Sequence, residues 1–333
     1  MTSALRLTRS PDPGPELDAL VRRLGERVGL PGVLDDLARR ARRGFGPGLR
    51  VRHALTWDRE DRRTTQWWPQ GVSTSADASE TGEVHGRRMV AVSWYAKPVG
   101  GEPTHGTRIS FLDLDARCYQ HVLLLTPGGK PLRVHAGGLV WWGPHLHVTA
   151  TARGFWTFRL DDLVRVRDPR DALGYRYALP ARFQHRADSD EGTQPLRYSC
   201  LSLDRSTAPP QLVVGEYGRG RQTTRLARFA LDPVSQLPAT DAGGVAAPLA
   251  VEDLGVKGVQ GVACLGGRTF LSVSHGTRTP GSLYAGTPGS FRSHRWASPM
   301  GPEDLSAWPS RDQLWTVTEH PRRRWLVALR PPG

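Results

Sequence analysis

Two periodicities divide the chain. Leu17, Leu20, Val21, Leu24 and Val28 recur at helical spacing, and Val33, Leu34, Leu37, Ala38 and Ala41 resume it after Pro31-Gly32 until Gly44. Pro15 and Glu16 suit a first helical turn, one by its fixed φ and the other by its charge at the positive end of the dipole. Residues 1–13 carry no period and are expected to be disordered. The second predicted helix ends in Arg39, Arg40, Arg42 and Arg43, which read as cations near a helix C-terminus on a solvated face. From Leu49 onward the helical spacing is gone. Short apolar runs alternate with turn residues, which predicts strands. Residues 259–276, VQGVACLGGRTFLSVSHG, show the unit: a small-residue entrance at Gln260-Gly261, an apolar strand, a turn at Gly266-Gly267 and a second strand.

The unit repeats. QGVSTSAD, HAGGLVWW, RYSCLSLD, VQGVACLG and PEDLSAWP superpose when Gly71, Gly138, Cys200, Gly261 and Asp304 are aligned, at intervals of 67, 62, 61 and 43 residues. Second strands follow as RRMVAVSWY, HLHVTATA, QLVVGEY, RTFLSVS and QLWTVTEH. Third strands follow as TRISFLDL, GFWTFRL, RLARFAL, GSLYAG and RRWLVAL. Fourth strands fall at CYQHVLLL, in the run 163–179, near 249–256 and at SFRSHRW. Antiparallel groups of four without intervening helices predict an all-β, five-bladed β-propeller over residues 49–333, with residues 1–48 as a disordered start and helical extension. The last group ends without a fourth strand, and LRVRHALTW at residues 49–57 is free to supply it, closing the ring. The tryptophans fit as wedges between blades; the pairs Trp67-Trp68 and Trp141-Trp142 stand apart, because neighbours on a strand face both ways.

Composition agrees with many short strands: 37 glycines, 27 prolines and 38% hydrophobic residues in 333. No apolar run is long enough for a membrane helix, and the N-terminus lacks a signal-peptide core. The expected location is therefore cytoplasmic, or secreted if the true start lies upstream. Cys118, Cys200 and Cys264 are too few for a disulfide framework and lack zinc-finger spacing. The formal charge is +13, but the arginines are scattered, so a specific nucleic-acid partner is not expected. The chain is expected to be monomeric.

The runs HAGGLVWW, RYSCLSLDRSTAPPQLVVGEYG, VQGVACLGGRTFLSVSHG and GPEDLSAWPSRDQLWTVTEHP, with QGVSTSADASE before them, resemble a group of actinobacterial proteins labelled only as secreted or hypothetical. The resemblance covers residues 65–330 and implies no activity. The layout is also similar to five- and six-bladed propeller enzymes and lactonase-like propellers, a likeness of fold only.

In a propeller the entrances of the innermost strands crowd one mouth of the central channel. That gathers Gln70, His135, Tyr198, Gln260, Glu303 and Asp304. Glu303, Asp304, His135 and Tyr198 are the candidate catalytic groups, and Gln70, Gln260, Trp68, Trp141 and His275 the candidate ligand contacts. Three readings stay open: acid/base chemistry on a small substrate, as in a hydrolase, lyase or cyclase; a divalent cation such as calcium held in the channel by hard oxygens; or carboxylates that accept backbone N–H groups and tie blades together. Asp77 follows the first entrance and points toward the opposite mouth. His145 and His147 share a strand face and are a weaker metal candidate. The acidic run at 185–192 reads as a solvated loop. GxSxG, P-loop and HExxH motifs are absent. The competing function is a non-catalytic module that binds a protein or polymer by its blade rims.

Overall fold

The computed structural model describes residues 4–98 and 105–333. Residues 1–3, part of the start expected to be disordered, lie outside them. The fold is all-β, with short helices at the N-terminal side.

Strands pair antiparallel in quartets. The first quartet is Trp67–Thr74, Met89–Ala96, Thr107–Asp113 and Cys118–Leu125. The second is Leu139–Trp142, His145–Thr149, Phe155–Arg159 and Tyr177–Ser189. The third is Cys200–Asp204, Gln211–Gly215, Arg225–Ala230 and Ala250–Asp253. The fourth is Val259–Leu265, Arg268–Val273, Pro280–Thr287 and Ser290–Met300. The fifth is Pro302–Trp308, Gln313–Thr318, Trp325–Leu329 and, from the other end of the chain, Val51–Thr56. Gly266 and Gly267 sit at φ 59° and 74° between Leu265 and Arg268, the two left-handed residues of a type I′ hairpin turn.

Side chains on both faces of the inner strands of each quartet are buried, which is why these strands read as unbroken apolar runs, while the outer strands Ala250–Asp253 and Ser290–Met300 are largely exposed. Phe111 of the first quartet packs on Trp141 of the second. Val140 and Phe155 of the second meet Leu201 and Phe229 of the third. Cys200 and Val213 meet Val262 and Leu271; Phe270 and Leu283 meet Leu305 and Val327. Trp315 and Val317 of the fifth return to Val90 and Trp94 of the first. The packing order is therefore cyclic.

Four N-terminal and linking features depart from the sequence expectation. Leu5–Arg9 is a strand, pairing with Tyr177–Ser189, so the start is not disordered there. The helix Gly14–Leu24 forms as expected and lays Leu17, Leu20 and Leu24 on Leu123, Leu125 and Ala178, at the outer edge of the first two quartets. The second helix spans only Gly29–Leu34. Arg39–Arg40 and Arg42–Arg43 are instead extended and pair with Cys118–Leu125 and Val51–Thr56. Open outer edges offer unpaired N–H and C=O groups, and satisfying them outweighs helix propensity. The outer strand of the second quartet is Tyr177–Ser189 rather than the run 163–179, and it absorbs the first half of the acidic stretch expected to be a loop. Val164–Val166 pairs with Gly25–Arg27 and with the start of that strand.

Candidate functional site

The first strands of the quartets surround an axis, and the residues that superpose in sequence meet on it. A Cβ on Gly138 would lie 2.4 Å from the Leu201 nitrogen, and one on Gly261 would lie 2.4 Å from the Leu305 nitrogen. A Cβ on Gly71 would lie 2.8 Å from Cβ of Leu139. Glycine is required here by close backbone approach, not by turn geometry. Asp304 fills the remaining space. Its Oδ2 accepts the Leu139 N–H at 3.0 Å and the Val72 N–H at 3.3 Å, reaching two other quartets. Burial pushes its carboxyl well above the usual range, against those backbone donors. Asp304 thus ties quartets together. Its neighbours are backbone N–H donors, an environment for a carboxyl and not for a cation. Among the described residues no group of three or more His, Cys, Asp or Glu could hold a metal ion.

Asp77 lies beyond Asp304 toward the other end. Its Oδ2 accepts the Ser73 and Ser306 hydroxyls at 2.6 and 2.7 Å, and burial, opposed by those hydroxyls, raises its carboxyl to about 6.

Glu303, adjacent to Asp304, faces the opposite way, toward the end where first strands begin and second strands finish. Its side chain is buried, yet it makes no ion pair among the described residues. Gln260 Nε2 donates to its Oε1 at 3.4 Å. Gln70 Nε2 donates to Oε2 of Glu319 at 3.3 Å. His320 Nδ1 lies 3.6 Å from the other Glu319 oxygen. Burial first, then the Glu319 and Asp304 carboxyls, push Glu303 well above the usual range, with Lys97 opposing. Burial and the same two glutamates raise the Tyr95 phenol. Tyr95 packs on His135 at 4.5 Å between ring centres, and burial followed by the Lys97 charge lowers His135. The Lys97 ammonium lies 3.2 Å from the centre of the Trp68 ring, with Arg324 over the same ring at 5.5 Å. Arg324 donates to the Glu319 carbonyl, and burial, then Arg108, lowers it to about 10.

Of the residues singled out in the sequence, Gln70, Gln260, Glu303, His135 and Trp68 share this mouth. Asp304 lies beneath it on the axis. Tyr198 is in the apolar layer between the second and third quartets, and Trp141 is fully buried against Phe111. His275 is exposed on the fourth quartet with its Nε2 2.8 Å from the Ser282 hydroxyl. His147 and His185 both approach the Thr157 hydroxyl, at 2.8 and 3.2 Å, in a buried layer of neutral imidazoles.

Glu319, Tyr95, Lys97 and Arg324 escaped the sequence reading. The signal was present: antiparallel pairing brings the last residues of each second strand, such as Tyr95 in VAVSWY and Glu319 in TVTEH, beside the first-strand entrances. Also unforeseen is a buried network beside the mouth. Asp61 accepts from Arg108 at 2.5 Å, Tyr119 at 2.5 Å, His121 at 2.8 Å and Arg39 at 3.2 Å. Burial alone would raise Asp61, but the His121 hydrogen bond and the Arg108 and Arg39 guanidiniums outweigh it and hold the carboxyl below the usual range. Burial, then Arg108, pushes His121 down to about 4. The Arg108 guanidinium stacks over Trp67 and Trp94 at 4.5 and 4.8 Å.

No family model matches the chain, and no curated protein matches it. Among solved structures it is similar to the β-propeller domain of Cps50 (Swd1) from Myceliophteria thermophila, at 11% identity and TM-score 0.34 over 72% of this chain and 92% of that one. It is also similar to the GH43_1 enzyme from Xanthomonas citri complexed with xylose, at 12% identity and TM-score 0.39 over 96% and 93%. The complex of that enzyme with xylotriose gives TM-score 0.38 at 12% identity over the same shares. Likeness at this level transfers neither substrate nor residue roles.

Proposed function

We propose that the chain is a five-bladed β-propeller, its last blade completed by Val51–Thr56, that binds a small polar ligand at the Glu303 mouth and performs proton transfer on it. The cyclic packing of the quartets and the pairing of Trp325 with Thr56 support the architecture. One observation carries the functional reading: Glu303 is a buried carboxyl without an arginine, held by a single long amide hydrogen bond and facing a second carboxyl. A structural carboxyl at that depth acquires strong donors, as Asp61 does. In this reading Glu303, whose burial favours the protonated form, donates a proton, and Glu319 beside it is the second carboxyl of the pair. Trp68 and Tyr95 supply apolar contact, and Gln70 and Gln260 orient polar groups. Hydrolysis, elimination and cyclisation all fit a donor–acceptor pair of this kind.

A thermal-shift screen of sugars, small esters, lactones and aromatic metabolites, run on the parent and on Glu303→Gln, tests the reading. A ligand that stabilises the parent and not the variant supports it. A variant that melts markedly earlier in the absence of any ligand contradicts it, because Glu303 is then a tie between blades.

A further inference from the structure

The outer edges of the quartets carry a belt of arginines. Arg40, Arg42, Arg43 and Arg117 line a cavity of about 370 Å³ that contains no carboxylate. Arg43 and Arg117 are shared with an adjoining cavity of about 530 Å³, where Arg52 joins them and Asp115 is already paired with Arg88. A third cavity, of about 390 Å³, is lined by Leu49, Arg50, His294, Arg295 and Arg330. None of these unshared arginines makes an ion pair with a carboxylate among the described residues. The segment 39–50 connects the three cavities: Arg42–Arg43 pairs with Val51–Thr56, and the Leu49 N–H donates to the Trp296 carbonyl.

Two exposed aromatic side chains lie in the same belt. Phe45 is 87% exposed and Trp296 53% exposed, and they are the only large aromatics so exposed among the described residues. Trp296 is held outward by the backbone. Leu283 pairs with His294 while Gly281 pairs with Ser298, so the strand bulges between them, and Trp296 adopts φ 57°. A bulky residue in that region is strained, and a bulge is a device for re-aiming a side chain. An outward tryptophan with no apolar cover is unfavourable in isolation, and the Arg295 guanidinium lies 5.9 Å from its ring.

We infer that this belt binds single-stranded nucleic acid without sequence preference. Arginine forks suit phosphate oxygens. The basic lining is spread over three cavities rather than gathered in one, which suits a chain of phosphates, and exposed aromatics beside a basic groove stack unpaired bases of any identity. An acidic protein surface would engage the arginines, but unpaired bases bring a planar partner for Phe45 and Trp296 with every nucleotide.

Fluorescence anisotropy of the full chain with a labelled oligo-dT, and with a duplex of mixed sequence, reads the inference. The expected result is preferential binding of the single strand, weakening linearly on a log–log plot against salt with a slope of about −0.7 per phosphate contacted. The double variant Phe45→Ala/Trp296→Ala is expected to bind the single strand roughly fivefold or more weakly with the salt slope unchanged. Arg42→Gln/Arg43→Gln is expected to flatten the slope. Three results overturn the inference: no binding at low salt; polyglutamate competing as well as unlabelled oligo-dT, which marks a docking face for acidic protein; or full affinity in the aromatic double variant.

Discussion

Asp61 and Glu303 are both carboxyls buried among aromatic rings near one end of the molecule, and their surroundings differ in kind. Asp61 has two guanidiniums, an imidazole and a phenol around it. Glu303 has one amide at 3.4 Å and faces another glutamate. The first arrangement keeps a charge inside the protein by surrounding it with donors. The second favours the neutral carboxyl and gives it a single long amide hydrogen bond. A buried ion that is fully paired is a joint between elements: Asp61, on the short helix Arg59–Arg63, holds Arg108 and His121 of the first quartet, and its carbonyl takes Arg324 from the fifth. A buried acid that is under-partnered is ready for an external molecule.

Breaking the joint has the largest expected effect. Asp61→Ala leaves Arg108 buried without its counter-ion, and urea unfolding is expected to show a loss of about 3–5 kcal/mol. Acid probes the same contrast. His145 and His121 are lowered to about 4 and His185 to about 3, chiefly by burial. Each is neutral when folded and takes a proton near pH 6.5 when unfolded, so its contribution is full above pH 6.5 and is lost as pH falls toward 4 or 3. A shift of about two units is worth roughly 3 kcal/mol per imidazole. Thermal melts between pH 7 and 4 are expected to fall steeply, and less steeply in His145→Gln. Asp77 has the opposite sign: raised to about 6, its neutral form stabilises below the usual carboxylate range, and that contribution is lost as pH rises through about 6. Gly261→Ala places a methyl 2.4 Å from the Leu305 nitrogen, and a loss of about 1–3 kcal/mol is expected on melting. Glu303→Gln has the smallest expected effect on stability, under about 1 kcal/mol, because the neutral amide replaces a neutral carboxyl of the same shape.

The contrast also explains which parts were legible in the sequence. The entrances Gly71, Gly138, Cys200, Gly261 and Asp304 could be aligned because a cyclic fold brings equivalent positions to one axis, where only small or tying residues fit. Glu303 and Asp304 fall in one candidate cluster by sequence; in the structure Asp304 lies on the axis, bonded to the Leu139 and Val72 N–H groups, while Glu303 meets Gln260. The Asp61 network was invisible, since its members lie in four segments between Arg39 and His121 whose proximity depends on tertiary packing. The arginines at 39–43 read as a helix end because local pattern says nothing about an unpaired strand edge elsewhere. Tyr198 and Trp141 illustrate the remaining limit: a strand places a side chain on one of two faces, and which face meets the mouth depends on a register the sequence does not display.

The proton on Glu303 is the point on which the functional reading depends. Carbon-13 NMR of glutamate-labelled protein, assigned by comparison with Glu303→Gln, measures it directly. The account predicts a side-chain carboxyl signal that stays in its protonated position at neutral pH and is missing in the variant. A Glu303 signal that titrates with the exposed glutamates would show an ordinary ionised carboxylate and would contradict the account.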